Sequence, residues 1–432
     1  MRSDSAAPTT GCRWVWAMRG SLTASAFAVG LMVGGVPRLA AAKPLERGIP
    51  ELFGGVLATT ISRDFSDVQN LQTPRVAERF RGLSAALAAA RSQAPIPSAS
   101  GAFRFAWDPE LDTFVRYRQS LGSVLAERAQ TLGRHTFTLG VSYTRVDFDT
   151  LEGDNLSNLR SAQPALSDDY LAQFPPADQA RVADDILETQ LDFQFGFDLF
   201  FLTAAYGVTD DIDVSLALSV TRARMRAEAA AQILDPDTDG AASFAADQVG
   251  AITDGSGPVC GTPFRCARDA FDGDALGTGD LFLRGKWHFY DSALADLAAA
   301  AVLTLPTGNA DDFLGFHDPT FTPWLIASKS FGRVSPHLNL GYHARSGKDV
   351  SQAEWIAGAD LMATEWLTLG ADFLGFHDDQ RDGINDDVFQ SALGFKLHPW
   401  GQLVIAGNFQ LPLNRDGLRA DIIYGAQVEY TF

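Results

Sequence analysis

The run Tyr342-His343-Ala344-Arg345-Ser346 sets a histidine close to a serine, the pair that nucleophilic hydrolysis needs. A serine hydroxyl attacks only when a base stands within hydrogen-bond reach of it. Side chains on one face of a strand are two apart in sequence, and His343 and Ser346 are three apart. The two diverge, so hydrolysis is kept only as a lesser alternative and no catalytic residue is assigned. A second candidate is Asp378, Asp382, Gly383 and Asp386, which follow part of a calcium-loop spacing. Gln380 and Phe389 stand where that loop wants Asp or Asn and a closing Glu, so ordinary hairpin chemistry is expected there. Cys260 and Cys266, in Cys260-Gly261-Thr262-Pro263-Phe264-Arg265-Cys266, have no further Cys or His nearby to complete a metal site. In an oxidising compartment the pair is expected to close a small loop disulfide. No metal and no cofactor are expected.

The remaining chemistry is charge. Asp192, Asp198, Asp213, Asp280, Arg284, Lys286, His288, Lys329, His337, His343, Arg345, Glu354, Asp360, Asp372, Lys396, Arg419, Asp421 and Glu429 recur on the polar side of segments whose other side is apolar. If those segments close into a barrel, the set points into its lumen. Mixed charge there either lines a water-filled pore or forms a paired network that fills it.

The segments that would position these residues alternate with a period of two. The last fifteen residues show it best: Ala420, Ile422, Tyr424, Ala426, Val428, Tyr430 and Phe432 share one face, opposed mostly by polar residues. A strand that finishes on an outward aromatic suits the closing strand of an outer-membrane barrel. From His135 onward about twelve such strands can be read. The first presents Phe137, Leu139, Val141 and Tyr143. The second presents Leu191, Phe193, Phe195, Phe197, Leu199 and Phe201, with a change of parity expected at a bulge near Phe201-Leu202. The sixth is centred on Trp324 and Ile326. Connections near Thr209, Asp291, Gly332, Thr364 and Pro399 are short and those between them longer and polar, the asymmetry of periplasmic turns and outer loops. The expected fold is therefore all-β, a transmembrane antiparallel barrel over residues 131–432.

Residues 1–42 read as a signal peptide: Arg2, Arg13 and Arg19, an apolar run over 22–36, then Ala40-Ala41-Ala42. No later stretch offers the about 18 unbroken apolar residues that a spanning helix needs. The chain carries 34 Lys+Arg against 53 Asp+Glu, a formal charge of −19. Residues 1–42 contribute four arginines and one aspartate, so residues 43–432 are more acidic still. That excludes nucleic acid as a partner. The expected partners are outer-membrane lipid and lipopolysaccharide, the barrel-assembly machinery acting on the C-terminal strand, and small solutes.

Residues 43–130 differ in kind. Val76, Phe80, Leu83 and Leu87 share a helical face, and Phe103, Phe105 and Trp107 precede a turn leading to Phe114 and Tyr117. This segment is expected to plug the barrel or sit beneath its periplasmic mouth. Alternatively its hairpin adds two strands and makes fourteen.

The run Gly277-Thr278-Gly279-Asp280-Leu281-Phe282-Leu283-Arg284, the turn Tyr206-Gly207-Val208-Thr209-Asp210, Leu305-Pro306-Thr307-Gly308 and the lead-in Ala126-Glu127-Arg128-Ala129-Gln130-Thr131-Leu132-Gly133-Arg134 resemble the outer-membrane family labelled "MetA pathway of phenol degradation". The resemblance covers nearly the whole chain after residue 42, but its motifs are turns and strand starts. It implies an outer-membrane transporter. A passive channel for small solutes, hydrophobic or aromatic ones among them, is the expected function. A non-conducting structural or surface-interaction barrel is the alternative.

Overall fold

The computed structural model describes residues 44–48, 51–52, 56, 105–108, 113–116, 121–164, 186–234, 251–252, 267–345, 351–379 and 387–432, with single positions at 172, 176 and 179. The signal peptide, the helical pattern at 73–91, Phe103, Tyr117, Ser346, Cys260, Cys266 and most of the calcium-like loop lie outside the described residues.

Twelve antiparallel strands close on themselves. They are β1 (Phe137–Phe148), β2 (Ile186–Gly207), β3 (Ile212–Leu234), β4 (Ala267–Asp291), β5 (Asp296–Leu305), β6 (Thr320–Ser328), β7 (Val334–His343), β8 (Gln352–Thr364), β9 (Leu367–Asp378), β10 (Asp387–Leu397), β11 (Leu403–Pro412) and β12 (Ile423–Thr431). Each pairs with the next, and β12 returns to β1 from Ile423↔Val146 to Thr431↔Thr138. At the seam the Phe432 N–H donates to the Phe137 carbonyl at 2.7 Å. The hairpin Phe105–Asp108 with Thr113–Arg116 forms, with Trp107 opposite Phe114, but it pairs only with itself, so the barrel has twelve strands and not fourteen.

Alternation fixes which face meets lipid. Leu139, Val214, Leu216, Leu218, Leu283, Leu303, Leu340, Leu369, Leu393 and Val428 stand exposed around the outside. Aromatics ring them at both ends. Trp287, Phe289, Phe331, Trp366, Trp400, Tyr430 and Phe432 lie near the short-turn end, and Phe200, Phe321, Trp355 and Tyr424 near the other. Closed pairing leaves no strand edge to satisfy in hydrocarbon. Closure, the outward apolar band and the two girdles make this a bacterial outer-membrane β-barrel, with the short turns periplasmic.

Three strands overshoot the bilayer. β2, β3 and β4 run for 22, 23 and 25 residues, where about 10 suffice to cross. Their outward face changes character with height. Val214, Leu216, Leu218 and Val220 give way to Arg222, Arg224, Arg226 and Glu228 along β3. Arg226 pairs with Asp272 at 2.8 Å, Arg224 with Asp198 at 3.0 Å, and Arg222 with Asp274. Such exposed pairs contribute about 0–1 kcal/mol each, so they report where water begins more than they hold the wall together.

At the periplasmic end, Gly207 closes β2 directly against Gly133. The His135 N–H donates to the Gly207 carbonyl at 2.8 Å and the Gly207 N–H to the Thr136 carbonyl at 2.9 Å. A Cβ on Gly207 would overlap the Gly133 carbonyl. Gly207→Ala is therefore expected to destabilise the barrel by about 1–3 kcal/mol, read as a lower temperature for conversion of the compact to the heat-modified electrophoretic form.

Candidate functional site

The lumen is filled from both ends, with a gap between. Residues 121–133 cross its periplasmic end as a strap of irregular backbone, almost wholly buried. Buried irregular backbone needs partners, and the inward side chains of the barrel supply them. The Leu121 N–H donates to Thr368 Oγ1 on β9 at 2.9 Å, Ala129 N–H to Ser328 Oγ on β6 at 2.9 Å, and Leu132 N–H to Asp213 on β3 at 3.0 Å. Lys286 of β4 reaches the Gln130 carbonyl at 2.7 Å. Asn339, with its amide turned to satisfy both atoms, accepts from the Glu127 N–H at 2.7 Å and donates to the Glu127 carbonyl at 3.0 Å.

Charge then locks the strap. Arg128 Nη2 lies 3.1 Å from Asp360 Oδ2 on β8, both side chains nearly solvent-free. Burial pushes the Arg128 guanidinium below its ordinary pKa, and Asp360 opposes that shift. His337 of β7 stands between two carboxylates, 2.6 Å from Asp372 and 3.7 Å from Asp360, and its Nε2 is also 3.4 Å from Ser123 Oγ. Glu127 pairs with Arg284. Strap and wall thus form one buried ionic layer, stitched to β3, β4, β6, β7, β8 and β9.

The outer end is closed by the β5–β6 loop and by an N-terminal turn. A register shift in β4 between Thr278 and Leu281 leaves Asp280 wholly buried on the inside. Its carboxylate accepts the Gly308 N–H at 3.1 Å and the Phe316 N–H at 2.9 Å, drawing residues 306–319 into the lumen. Gly315 is required there, because a Cβ would run into Asp280 and the Gly308 backbone. Phe313 packs edge-on against Phe195 at 5.2 Å. The turn Leu45–Arg47 sits beside this loop: Leu45 is 0 % exposed, and its N–H donates to Asp312 Oδ1 at 3.2 Å. Leu45, Leu52, Val56, Phe193, Phe195, Phe197, Phe313 and Leu314 belong to one buried cluster.

Between strap and loop lies a cavity of about 120 Å³. One wall is apolar: Leu199, Phe201, Ala217, Phe282, Val302, Phe316, Trp324 and Ile326. The other carries Glu127, Arg284, His343, Arg345 and Glu354. His343 Nε2 is 2.6 Å from Glu354 Oε2, and its Nδ1 is 3.0 Å from Thr322 Oγ1. The Arg345 guanidinium lies over the Phe316 ring, 4.7 Å from its centroid. An apolar cavity of about 150 Å³ accepts a benzene ring, so this gap is of the size of one six-membered ring with polar groups at one side.

The charged residues read from the sequence separate into three groups. Asp213, Asp280, Arg284, Lys286, His288, His337, His343, Glu354, Asp360, Asp372, Lys396 and Glu429 lie on the inward face, and Arg345 lines the cavity. Lys329 sits in the periplasmic β6–β7 turn, bonded to Asp291 at 3.2 Å and Asp296 at 2.7 Å. Arg419 is buried at the outer rim, where it donates to the Phe389 carbonyl. Asp421 is exposed there, and its N–H donates to Asp149 at 2.8 Å; burial lifts the Asp149 carboxyl above its ordinary pKa.

Asp192 and Asp198 correct the alternation read for the second strand. β2 keeps continuous register with β3, with no bulge near Phe201. Leu191 through Phe201 at odd positions face the lumen, while Asp192, Asp198, Phe200 and Leu202 face out, where Asp198 accepts the Tyr143 hydroxyl at 2.7 Å. The sixth strand is reversed in the same way. Trp324 and Ile326 face the lumen, and Phe321 and Leu325 face lipid. In both strands the greasier face packs the interior. Nothing in the sequence had marked Glu127 and Arg128, although a charged pair inside the otherwise small and apolar run before β1 is the signal they leave.

No family model matches the chain, and no curated protein matches it. Solved structures share its fold at low likeness. The COG4313 outer membrane channel from Pseudomonas putida F1 is 12% identical, covering 70% of this chain and 98% of that one at a TM-score of 0.43. A Pseudomonas aeruginosa FadL homologue is 11% identical over 70% and 91%, at 0.32. The Ralstonia pickettii toluene transporter TbuX is 12% identical over 69% and 89%, at 0.31. The assignment to the outer membrane rests on this chain's own pairing, belt and girdles.

Proposed function

We propose that this barrel is a passive outer-membrane channel for small, largely apolar ring compounds. The observation that carries the reading is the cavity itself, held between two internal closures and walled on one side by Phe201, Phe282, Phe316 and Trp324. A solute entering from outside passes the Phe313–Phe316 loop, rests against these rings, and leaves past the strap. Apolar lining with a few convergent polar groups is the usual character of a small-molecule site. Here Arg284, Glu127, His343 and Glu354 offer donors and acceptors to a single polar substituent, which fits a phenol. Outside, Arg222, Arg224 and Arg226 stand just above the apolar band, the height at which lipopolysaccharide phosphates lie, and β12 is the strand the barrel-assembly machinery would engage.

Uptake of radiolabelled phenol by cells with an intact outer leaflet tests this, with a disaccharide as the control solute. Expression should raise phenol uptake severalfold and leave the disaccharide unchanged. Ala217→Trp, which fills the cavity from β3, should return uptake close to the level without the protein. Phenol uptake no faster than in cells lacking the protein would sink the channel reading and leave a scaffold barrel.

A further inference from the structure

Glu46, Asp311 and His317 bring three metal-ligating atoms within 4.8 Å of one another at the outer closure. The structure assigns to them a binding site for a divalent first-row cation of the zinc type, which clips the N-terminal turn onto the β5–β6 loop.

The distances favour an ion over a direct contact. His317 Nε2 is 4.0 Å from Glu46 Oε2 and 3.8 Å from Asp311 Oδ1, beyond hydrogen-bond range. Ligands bound at about 2.0–2.2 Å to one shared zinc lie slightly closer to each other than this, so small side-chain movements close the site. An imidazole with two carboxylates suits zinc or a neighbouring transition ion. Calcium and magnesium prefer oxygen alone. The site is partly exposed, so water can supply the fourth position.

The scaffold around the three ligands is already fixed. Leu45, next to Glu46, is held by its burial and its bond to Asp312. Asp312, next to Asp311, also accepts from Asn309 Nδ2 at 2.6 Å. Phe316, next to His317, is held by Asp280 at 2.9 Å. Little order remains to be imposed when the ion binds. Two carboxylates facing each other across this gap also repel until a cation sits between them. The other comparable cluster, His288, Asp291 and Asp296 at the periplasmic rim, is served differently: Lys329 already places its ammonium on both aspartates. Glu46 comes from a part of the chain far from Asp311 and His317, so occupancy ties the N-terminal turn to the loop over the cavity. The assignment stands whether or not the barrel conducts.

Calorimetric titration of zinc chloride into the full chain, purified from outer membranes in detergent, tests it. One ion per barrel is expected, with affinity reduced at least tenfold, about 1.4 kcal/mol, by either His317→Ala or Glu46→Gln. Both side chains reach the surface, and heat-modifiable mobility will verify that the variants fold. Cobalt in place of zinc should give visible d–d bands that vanish in His317→Ala. Wild-type affinity in Glu46→Gln would overturn the clip. Binding that survives His317→Ala but disappears in His288→Ala would overturn the site, as would the absence of any stoichiometric binding.

Discussion

Arg128→Ala is expected to cost about 3–5 kcal/mol, because it leaves Asp360 ionised and unpaired inside the barrel. Each neutral hydrogen bond along the strap contributes only about 0.5–1.5 kcal/mol. The ion pair is therefore the largest single term holding residues 121–133 in place. The expected result in planar bilayers is larger and more frequent unitary steps than wild type gives, together with earlier thermal conversion to the heat-modified form. Arg128→Ala combined with Asp360→Ala should recover part of the stability, since neither charge is then stranded, while the strap stays loose and the conductance stays high. A single variant that melts with wild type and conducts like it would show that the pair does not secure the strap.

At the opposite end, Asp280→Ala should release the β5–β6 loop. The carboxylate accepts two backbone N–H groups at 3.1 and 2.9 Å while fully buried. Hydrogen bonds to a charged group contribute about 1.5–3 kcal/mol each, and both donors would be left unsatisfied. The loop then swings outward with Phe313, Leu314 and Phe316, uncovering the cavity. Two readouts report it: protease added to intact cells should cut the loop in the variant and spare it in wild type, and phenol uptake should accelerate. Asp280→Asn keeps one acceptor oxygen and should fall between the two. Equal resistance to protease in all three proteins would mean that Phe313 and Leu314 anchor the loop by packing alone.

The strands were legible because a barrel wall obeys one rule over and over. Leu139, Leu283, Leu340, Leu369 and Val428 face lipid at the positions their alternation predicts. Where the rule broke, it broke for a physical reason. Alternation says that two faces differ, and hydrophobicity decides which is lipid-facing only if the lumen is wet. Along β2 the lumen is dry, packed by Leu45, Phe313 and Leu314, and the outward face has risen above the bilayer into water. The run Phe193, Phe195, Phe197 and Phe201 therefore points inward and Asp198 outward. Trp324 and Ile326 obey the same logic, since they wall the cavity. The cavity could not be read beforehand for a related reason. Its walls come from β2 to β8 and its floor from the strap, and the pairing of Glu127 with Arg284 or of Arg128 with Asp360 is set by closure of the barrel and not by any local pattern.

The seam between β1 and β12 joins opposite ends of the sequence, and the strap runs directly into β1. Contacts so distant along a chain form late, because loop-closure entropy must be overcome before they give anything back. The strap's partners, by contrast, lie on β3 to β9, so it can bind a curved, still-open sheet. Assembly is then ordered by topology: the ionic layer docks first, and the β1–β12 hydrogen bonds shut behind it. A strap that fails to dock would leave β1 misaimed at the moment of closure, so variants of Arg128 should accumulate as open-seam intermediates in proportion to how slowly they refold.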